Sequence, residues 1–255
     1  MKLERHFVEK PWGRTDLPEA FRAPPGKRIG EVWFSGADFP LLAKYLFTSE
    51  KLSVQVHPND AQARGRGLPR GKCECWLIVA AEPGAVIGLG LAREMSAAEL
   101  RAAALDGSIE ALLDWRPVKA GDFLFVPPGT IHAIGGGISL IEIQQNSDVT
   151  YRLYDYGRPR ELHLDDALAV ATRAPYPAAL AKNLSGEAPQ RLVEGPPFVV
   201  ELTDSDALSD HARLILPVDG EARAGNEFAR TGECLLLGPG EMLGEAHGTM
   251  LVASS

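Results

Sequence analysis

Ser53-Val54-Gln55-Val56-His57-Pro58-Asn59-Asp60 is a β-branched, alternating run that sets an amide and an imidazole two residues apart. In a strand, residues i and i+2 leave the backbone on the same side, so Gln55 and His57 face one way while Val54 and Val56 pack the other. Two further stretches supply matching groups. Glu74 lies in the strand-like run Lys72-Cys73-Glu74-Cys75-Trp76-Leu77-Ile78-Val79, and His132 follows the Pro127-Pro128-Gly129 turn that ends Phe123-Leu124-Phe125-Val126. Two imidazoles, a carboxylate and an amide oxygen drawn from three strands make a ligand set for a metal inside a barrel. Cys73 and Cys75 alternate with Glu74, so with Glu74 turned inward they face the opposite way and behave as small packed hydrophobes. Lys72 shares the face of Glu74 and is expected to enter the metal cavity.

The chain has 255 residues, 45% of them hydrophobic, which supports a sizeable core in one large domain or two small ones. A net charge of -8 and a pI near 5.3 argue against general nucleic-acid binding, which requires a basic face. Charges and glycines interrupt every apolar stretch, so no membrane span is expected. Three cysteines do not make a disulfide framework, and Met1 to His6 carry no apolar signal region; both point to a cytoplasmic protein.

Outward from the ligand residues, Glu31-Val32-Trp33-Phe34 and Leu41 to Leu46 read as strands. Residues 61–72 hold Arg64, Arg66, Arg70 and Lys72 among three glycines and a proline without one acid, and read as a mobile basic loop. Ser96 followed by Glu99 is a capping box that starts a helix running to Asp106-Gly107; a turn or helix covers Ile109 to Trp115, and strands resume at Val118. A last helix over Leu164 to Ala171 closes a first domain, 1–172. Ala174-Pro175-Tyr176-Pro177 opens an irregular linker to about 190, and a β-rich lobe completes a second domain, 173–255. There Gly232-Glu233-Cys234-Leu235-Leu236-Leu237-Gly238-Pro239-Gly240 echoes Gly121-Asp122-Phe123-Leu124-Phe125-Val126-Pro127-Pro128-Gly129, as in an internal duplication. Glu241, Met242 and Leu243 stand where the first copy has Thr130, Ile131 and His132, so the second copy has no ligand set and is expected to be structural.

Short, regularly spaced strands with Gly/Pro turns predict a mainly β chain: a double-sheet jelly roll, the double-stranded β-helix of cupins, in two lobes with a small helical insertion between about residues 96 and 115. Gly121, Pro127 and His132 have the spacing of the second cupin motif, with Gly136 in place of its usual final Asn. In the first motif Gln55 stands where a His is usual, and Glu74 lies well beyond the usual short spacing. With those departures the chain resembles type I mannose-6-phosphate isomerases in their short bacterial form. The resemblance is carried by Lys10-Pro11-Trp12-Gly13, Gly30-Glu31-Val32-Trp33, Leu52 to Pro58, Gly71-Lys72-Cys73-Glu74, and Gln145-Asn146-Ser147-Asp148-Val149-Thr150-Tyr151-Arg152-Leu153-Tyr154-Asp155, and is continuous to about residue 171. It implies a zinc ion held by Gln55, His57, Glu74 and His132, a small sugar phosphate as partner, interconversion of mannose 6-phosphate and fructose 6-phosphate, and Arg152 as a catalytic residue.

Aldose–ketose isomerisation moves a proton between C1 and C2 through a cis-enediol, so a site must stabilise an enediolate and relay one proton. Lys72 and Asp148 are the two candidates for the relay. Lys44, on an earlier strand, is placed to hydrogen-bond the sugar or to assist ring opening. The phosphate needs cations, for which Arg158 and Arg152 are the candidates, with Ser53 as a hydroxyl donor. Trp12 and Trp33 read as packing residues. Two His and one carboxylate also suit non-haem iron; the extra Gln and the resemblance favour zinc. The other function classes are a metal-containing sugar-phosphate sensor and an iron-dependent cupin dioxygenase. Lys72, Asp148 and Arg152 together favour the isomerase, because binding alone needs no proton relay.

Overall fold

The computed structural model describes residues 1–36, 38–184, 189–204 and 210–255; the stretch 185–188 of the expected linker lies outside the described residues. Runs rich in Val, Ile, Leu and aromatic residues form β1 (Glu4–Arg14), β2 (Ile29–Ser35), β3 (Leu41–Phe47), β4 (Val54–Val56), β5 (Glu74–Ala81), β6 (Val86–Leu91), β7 (Leu113–Pro117), β8 (Asp122–Val126), β9 (His132–Ile134), β10 (Ile138–Gln145) and β11 (Tyr151–Tyr154). The helices are α1 (Asp60–Arg64), α2 (Ala97–Asp106), α3 (Ile109–Leu112) and α4 (Leu164–Val170). Later in the chain come β12 (Ala181–Asn183), β13 (Gln190–Val193), β14 (Val199–Thr203), β15 (Arg213–Pro217), β16 (Glu221–Ala224), β17 (Glu227–Arg230), β18 (Leu235–Leu237), β19 (Ala246–His247) and β20 (Met250–Ser254).

Two sheets face each other in the first lobe, a seven-stranded one in the order β1-β2-β3-β10-β5-β8-β12 and a five-stranded one in the order β11-β4-β9-β6-β7. This is the expected jelly roll. Leu46, Trp76, Ile78, Leu124 and Leu140 from the larger sheet meet Leu52, Ile87, Leu89 and Ile134 between the two. The outer face of the smaller sheet, with Val54, Val56 and Ala133, is covered by Leu100, Ala103, Ala104, Ala167 and Val170 from α2 and α4. The outer face of the larger sheet, with Tyr45, Phe47, Cys73, Cys75, Ile141 and Ile143, packs on Phe198, Val200, Leu214, Cys234 and Leu251 of the second lobe. Covered on both sides, β10 is buried along its whole length. A polar residue on it therefore points into a filled interior, where it needs a partner.

The second lobe pairs a five-stranded sheet, β13-β14-β20-β15-β18, with a three-stranded one, β17-β16-β19. The two lobes exchange their ends. The Leu3 N–H donates to the Cys234 carbonyl at 2.9 Å and the Leu236 N–H to the Met1 carbonyl at 2.8 Å, so the first residues join the second lobe. In the other direction β12 pairs with β8, and Tyr176 Oη donates to the Phe125 carbonyl at 2.7 Å. The echoed segments turn alike: Gly121 and Gly232 have φ of 86° and 85°, Gly129 and Gly240 of 88° and 73°, a left-handed backbone that favours glycine.

Residues 61–72, expected as a mobile loop, begin instead with α1. Asn59 caps it: its Oδ1 accepts from the Gln62 N–H at 2.8 Å and Gln62 Oε1 accepts from the Asn59 N–H at 2.9 Å. The following segment is tied back, since Asp60 Oδ1 accepts from the Gly71 N–H at 2.8 Å. The helical stretch expected to reach Trp115 ends at Leu112, where pairing with β6 takes over and forms β7, and the strand expected after Val118 is β8, from Asp122. The capping box at Ser96 and Glu99 forms as expected. No helix among the described residues is long and apolar enough to cross a membrane.

Candidate metal centre and substrate cavity

Strand registry assembles the site. In the smaller sheet Gln55 on β4 stands opposite His132 on β9 and opposite Arg152 on β11. Directly opposed residues share a face, so guanidinium, amide and imidazole form one row. In the larger sheet Glu74 is opposite Gln144, and Glu142 is opposite both Lys44 and Trp76. The two polar rows confront each other across the sandwich.

His57, Glu74 and His132 converge, with their ligand atoms all within 4.8 Å of one another. His57 Nε2 lies 3.6 Å from Glu74 Oε2, and His132 Nε2 3.3 Å from Glu74 Oε1. Each imidazole is oriented from behind: His57 Nδ1 donates to the Val149 carbonyl at 2.8 Å and His132 Nδ1 to the Thr130 carbonyl at 2.9 Å. That tautomer leaves each Nε2 lone pair aimed at the centre, the arrangement of a ligating histidine. Burial, reinforced by the Lys72 ammonium, pushes His57 down to about 3, and burial lowers His132 as well, so both rings are neutral. Burial alone would raise Glu74, but the Lys72 ammonium beside it outweighs burial and holds the carboxylate well below its usual range. Gln55 presents its amide 3.1 Å from His132 Nε2, while its oxygen accepts from Ser53 Oγ at 3.1 Å; a flip of the amide turns the oxygen inward. Two neutral imidazoles, an ionised carboxylate and an adjacent amide are a donor set that fits one divalent ion.

Above this centre opens a cavity of about 270 Å³. Its size suits a small metabolite, and its wall is strongly charged. Gln55 and Lys72 connect it to the ligand triad: Lys72 Nζ is 2.7 Å from Glu74 Oε2 and 3.2 Å from His57 Nε2. Lys44 also lines it and pairs with Glu142 at 2.9 Å. Burial works against the Lys44 charge, but Glu142 and Glu31 more than compensate, and its pKa is raised. Ser53 and the exposed Asp148 complete the expected residues found on the wall. Arg152 lines it too. Burial, then the neighbouring Arg160, lower its pKa, and among the described residues no carboxylate lies within 4.0 Å of its guanidinium.

Arg158, expected to receive the phosphate, is not on the cavity wall. Its guanidinium is taken up by Glu50 at 3.1 Å and Asp155 at 3.3 Å. Arg160, two residues on, lines the cavity instead. Trp12 and Trp33, expected as packing residues, line it as well, together with Lys10 and Glu31; Trp33 Nε1 donates to Glu31 Oε2 at 2.8 Å. Glu142 and Gln144 also went unnoticed in the sequence. Their signal was there: a carboxylate and an amide two residues apart, on one face of the otherwise apolar strand Ile138-Ser139-Leu140-Ile141-Glu142-Ile143-Gln144.

Fold and site together define a two-lobed cupin-fold protein with a histidine–carboxylate centre, fit for one metal ion, beneath a charged cavity. Known proteins of the same kind are close at hand. The mannose-6-phosphate isomerase of Streptococcus mutans is 47% identical over 140 residues, 52% of this chain and 44% of that protein. The probable mannose-6-phosphate isomerase GmuF of Bacillus subtilis is 35% identical over 213 residues, 67% of each chain. The crystal structure of the mannose 6-phosphate isomerase from Bacillus subtilis matches with a TM-score of 0.81 at 27% identity, covering 100% of this chain and 98% of its own. No family model matches the chain. The chain belongs to the mannose-6-phosphate isomerase family. Its match spans less than half the length of the Streptococcus mutans relative, 44%.

Proposed function

We propose that this chain is a zinc-dependent aldose–ketose isomerase that interconverts mannose 6-phosphate and fructose 6-phosphate. The single observation that carries this reading is the position of Arg152: a guanidinium without an ion pair among the described residues, on the wall of a cavity whose adjoining residues Gln55 and Lys72 touch the ligand triad. A pure binding site for a metal and an anion has no use for Lys72 wedged among the ligands as well.

In this reading Gln55, His57, Glu74 and His132 would hold the ion, which would supply Lewis acidity to the open-chain sugar when bound. Mixed nitrogen and oxygen donors that include a neutral amide favour zinc. Arg152 donates hydrogen bonds to the oxygen that gains negative charge as the enediolate forms. Lys72, whose Nζ lies 2.7 Å from Glu74 Oε2, donates a hydrogen bond to a substrate hydroxyl. Asp148, a carboxylate at the cavity rim with no ion pair within 4.0 Å among the described residues, accepts the proton from one carbon and returns it to the other. Lys44, held by Glu142, and Ser53 orient the sugar hydroxyls. Arg160, beside Arg152, meets the phosphate, for which a guanidinium has the matching two-pronged geometry.

The test is a coupled turnover assay on fructose 6-phosphate and mannose 6-phosphate, run before and after chelation and again after zinc is restored. Turnover that chelation abolishes and zinc restores is expected. A zinc-loaded protein that turns over neither sugar phosphate rejects the reading.

A further inference from the structure

Strand β11 ends at Tyr154 and the chain reverses at once. The Arg158 N–H donates to the Asp155 carbonyl at 3.0 Å, and Tyr156 and Gly157 take left-handed φ of 54° and 74°. This reversal brings Arg160 back to the cavity wall. At its centre sits the Asp155 carboxylate, in a residue only 2% exposed. A buried carboxylate is costly unless cations and hydrogen bonds satisfy it. Here Arg160 does so through a two-pronged fork, Nε to Oδ2 and Nη2 to Oδ1, both at 2.6 Å, and Arg158 adds Nη1 to Oδ1 at 3.3 Å.

The two arginines use this carboxylate differently. Arg158 spans from Asp155 to Glu50 and is fully occupied between two acids. Arg160 commits only Nε and one edge of Nη2; its Nη1 meets no protein acceptor among the described residues. Arg152 lies close enough to disfavour a second positive charge beside it. An arginine side chain has several rotatable bonds, and repulsion from Arg152 would drive an untethered Arg160 into solvent. The fork to Asp155 removes that freedom.

We propose that Asp155 is a positioning residue, whose buried carboxylate holds the Arg160 guanidinium on the cavity wall so that Arg160 and Arg152 together face a phosphate dianion. The proposal rests on the sugar-phosphate reading above and adds to it the device that fixes the anion receptor. Asp155 touches no substrate; it acts through Arg160.

The experiment is steady-state kinetics of the zinc-loaded full chain with mannose 6-phosphate, with inorganic phosphate as competitive inhibitor and as a directly titrated ligand in calorimetry. Asp155→Asn should raise KM and weaken inorganic phosphate by roughly ten- to hundredfold, the loss of one charge-assisted pair, while kcat changes less than about threefold. In an Arg160→Ala background the same change should add less than about twofold, because its effect passes through Arg160. A wild-type KM and wild-type phosphate affinity in Asp155→Asn, or penalties that multiply in the double variant, overturn the proposal. Arg160→Lys tests it without touching Asp155: it keeps the charge but cannot form the fork, so it should lose nearly as much as Arg160→Ala, and a lysine variant with wild-type KM also overturns it. A wild-type protein that turns over no sugar phosphate sinks the isomerase reading alone, since calorimetry with inorganic phosphate still compares Asp155→Asn with wild type.

Discussion

Arg152 stands directly opposite Gln55 in the β4–β11 ladder, and His132 stands opposite Gln55 on the other side of β4. One strand thus carries the register that sets a cationic head beside a metal-ligand row. If the guanidinium stabilises the enediolate, Arg152→Ala should lower kcat by roughly 10²–10³ with metal content intact, the scale of losing one preorganised oxyanion donor. Exchange of the substrate C2 proton with solvent should fall in parallel. A variant with near-normal kcat would remove Arg152 from the chemistry.

The ligand triad makes a prediction that does not depend on turnover. His57→Ala and His132→Ala should each lose most bound metal by elemental analysis, because both Nε2 atoms lie within 3.6 Å of the same carboxylate. Glu74→Gln should behave alike, as it removes the anionic ligand. Chelation should leave the wild-type chain folded, since its clustered cores hold it together without the ion as a staple. Full metal occupancy in both histidine variants would rule the assignment out.

Acid should unload and destabilise the centre, and the sign follows from the shifts. An unfolded histidine titrates near 6.5, whereas burial and Lys72 push folded His57 down to about 3. Below about pH 6.5 the unfolded chain therefore binds protons that the folded, metal-free chain does not, and stability present above that pH is lost as pH falls towards 3. His132 acts with the same sign, and Glu74, whose folded carboxylate sits below its usual 4.5, adds to the loss at the acid end. The midpoint of thermal unfolding of chelated protein should drop steadily from pH 7 to about pH 4, with zinc released over the same range. A flat midpoint would contradict the shifts.

Gly71, beside the metal centre, is one of the glycines where a side chain would collide with backbone. A Cβ there would lie 2.4 Å from the Pro58 carbonyl oxygen and 2.5 Å from the Asn59 carbonyl carbon. The same carbonyl of Pro58 accepts from the Lys72 N–H at 3.0 Å, so any shift moves Lys72 away from His57 and Glu74. Gly71→Ala should cost about 1–3 kcal/mol of stability, the range for forced overpacking, and lower kcat/KM as well. Differential scanning calorimetry and the coupled assay read the two effects, and a variant that matches wild type in both would show that the backbone yields freely.

Arg158→Ala separates the two arginines. Its guanidinium bridges Glu50 and Asp155 and does not line the cavity. The variant should keep KM within about twofold and lose about 1 kcal/mol of stability or less, as a partly exposed ion pair does. A large rise in KM with unchanged melting would put Arg158, not Arg160, at the phosphate.

Much of this protein is written locally. The alternation Val54-Gln55-Val56-His57 determines that an amide and an imidazole share a face, because side-chain direction in a strand depends only on the pleat. The glycines at 121 and 129, the capping box at Ser96, and the acid Glu74 between two small apolar cysteines follow from equally local chemistry. What only the tertiary structure decided is which faces meet. Nothing between residues 145 and 160 distinguishes Arg158 from Arg160 until the turn at Tyr156 and Gly157 closes on Asp155 and sends one guanidinium to Glu50 and the other to the cavity. Likewise Trp12, Glu31 and Trp33 become cavity wall because β10 slots between β3 and β5 and fixes their register to the metal row across the sheet. Strand order and registry are settled by burying both faces of the larger sheet at once, a collective condition of packing between segments far apart in the chain, and no single segment encodes it.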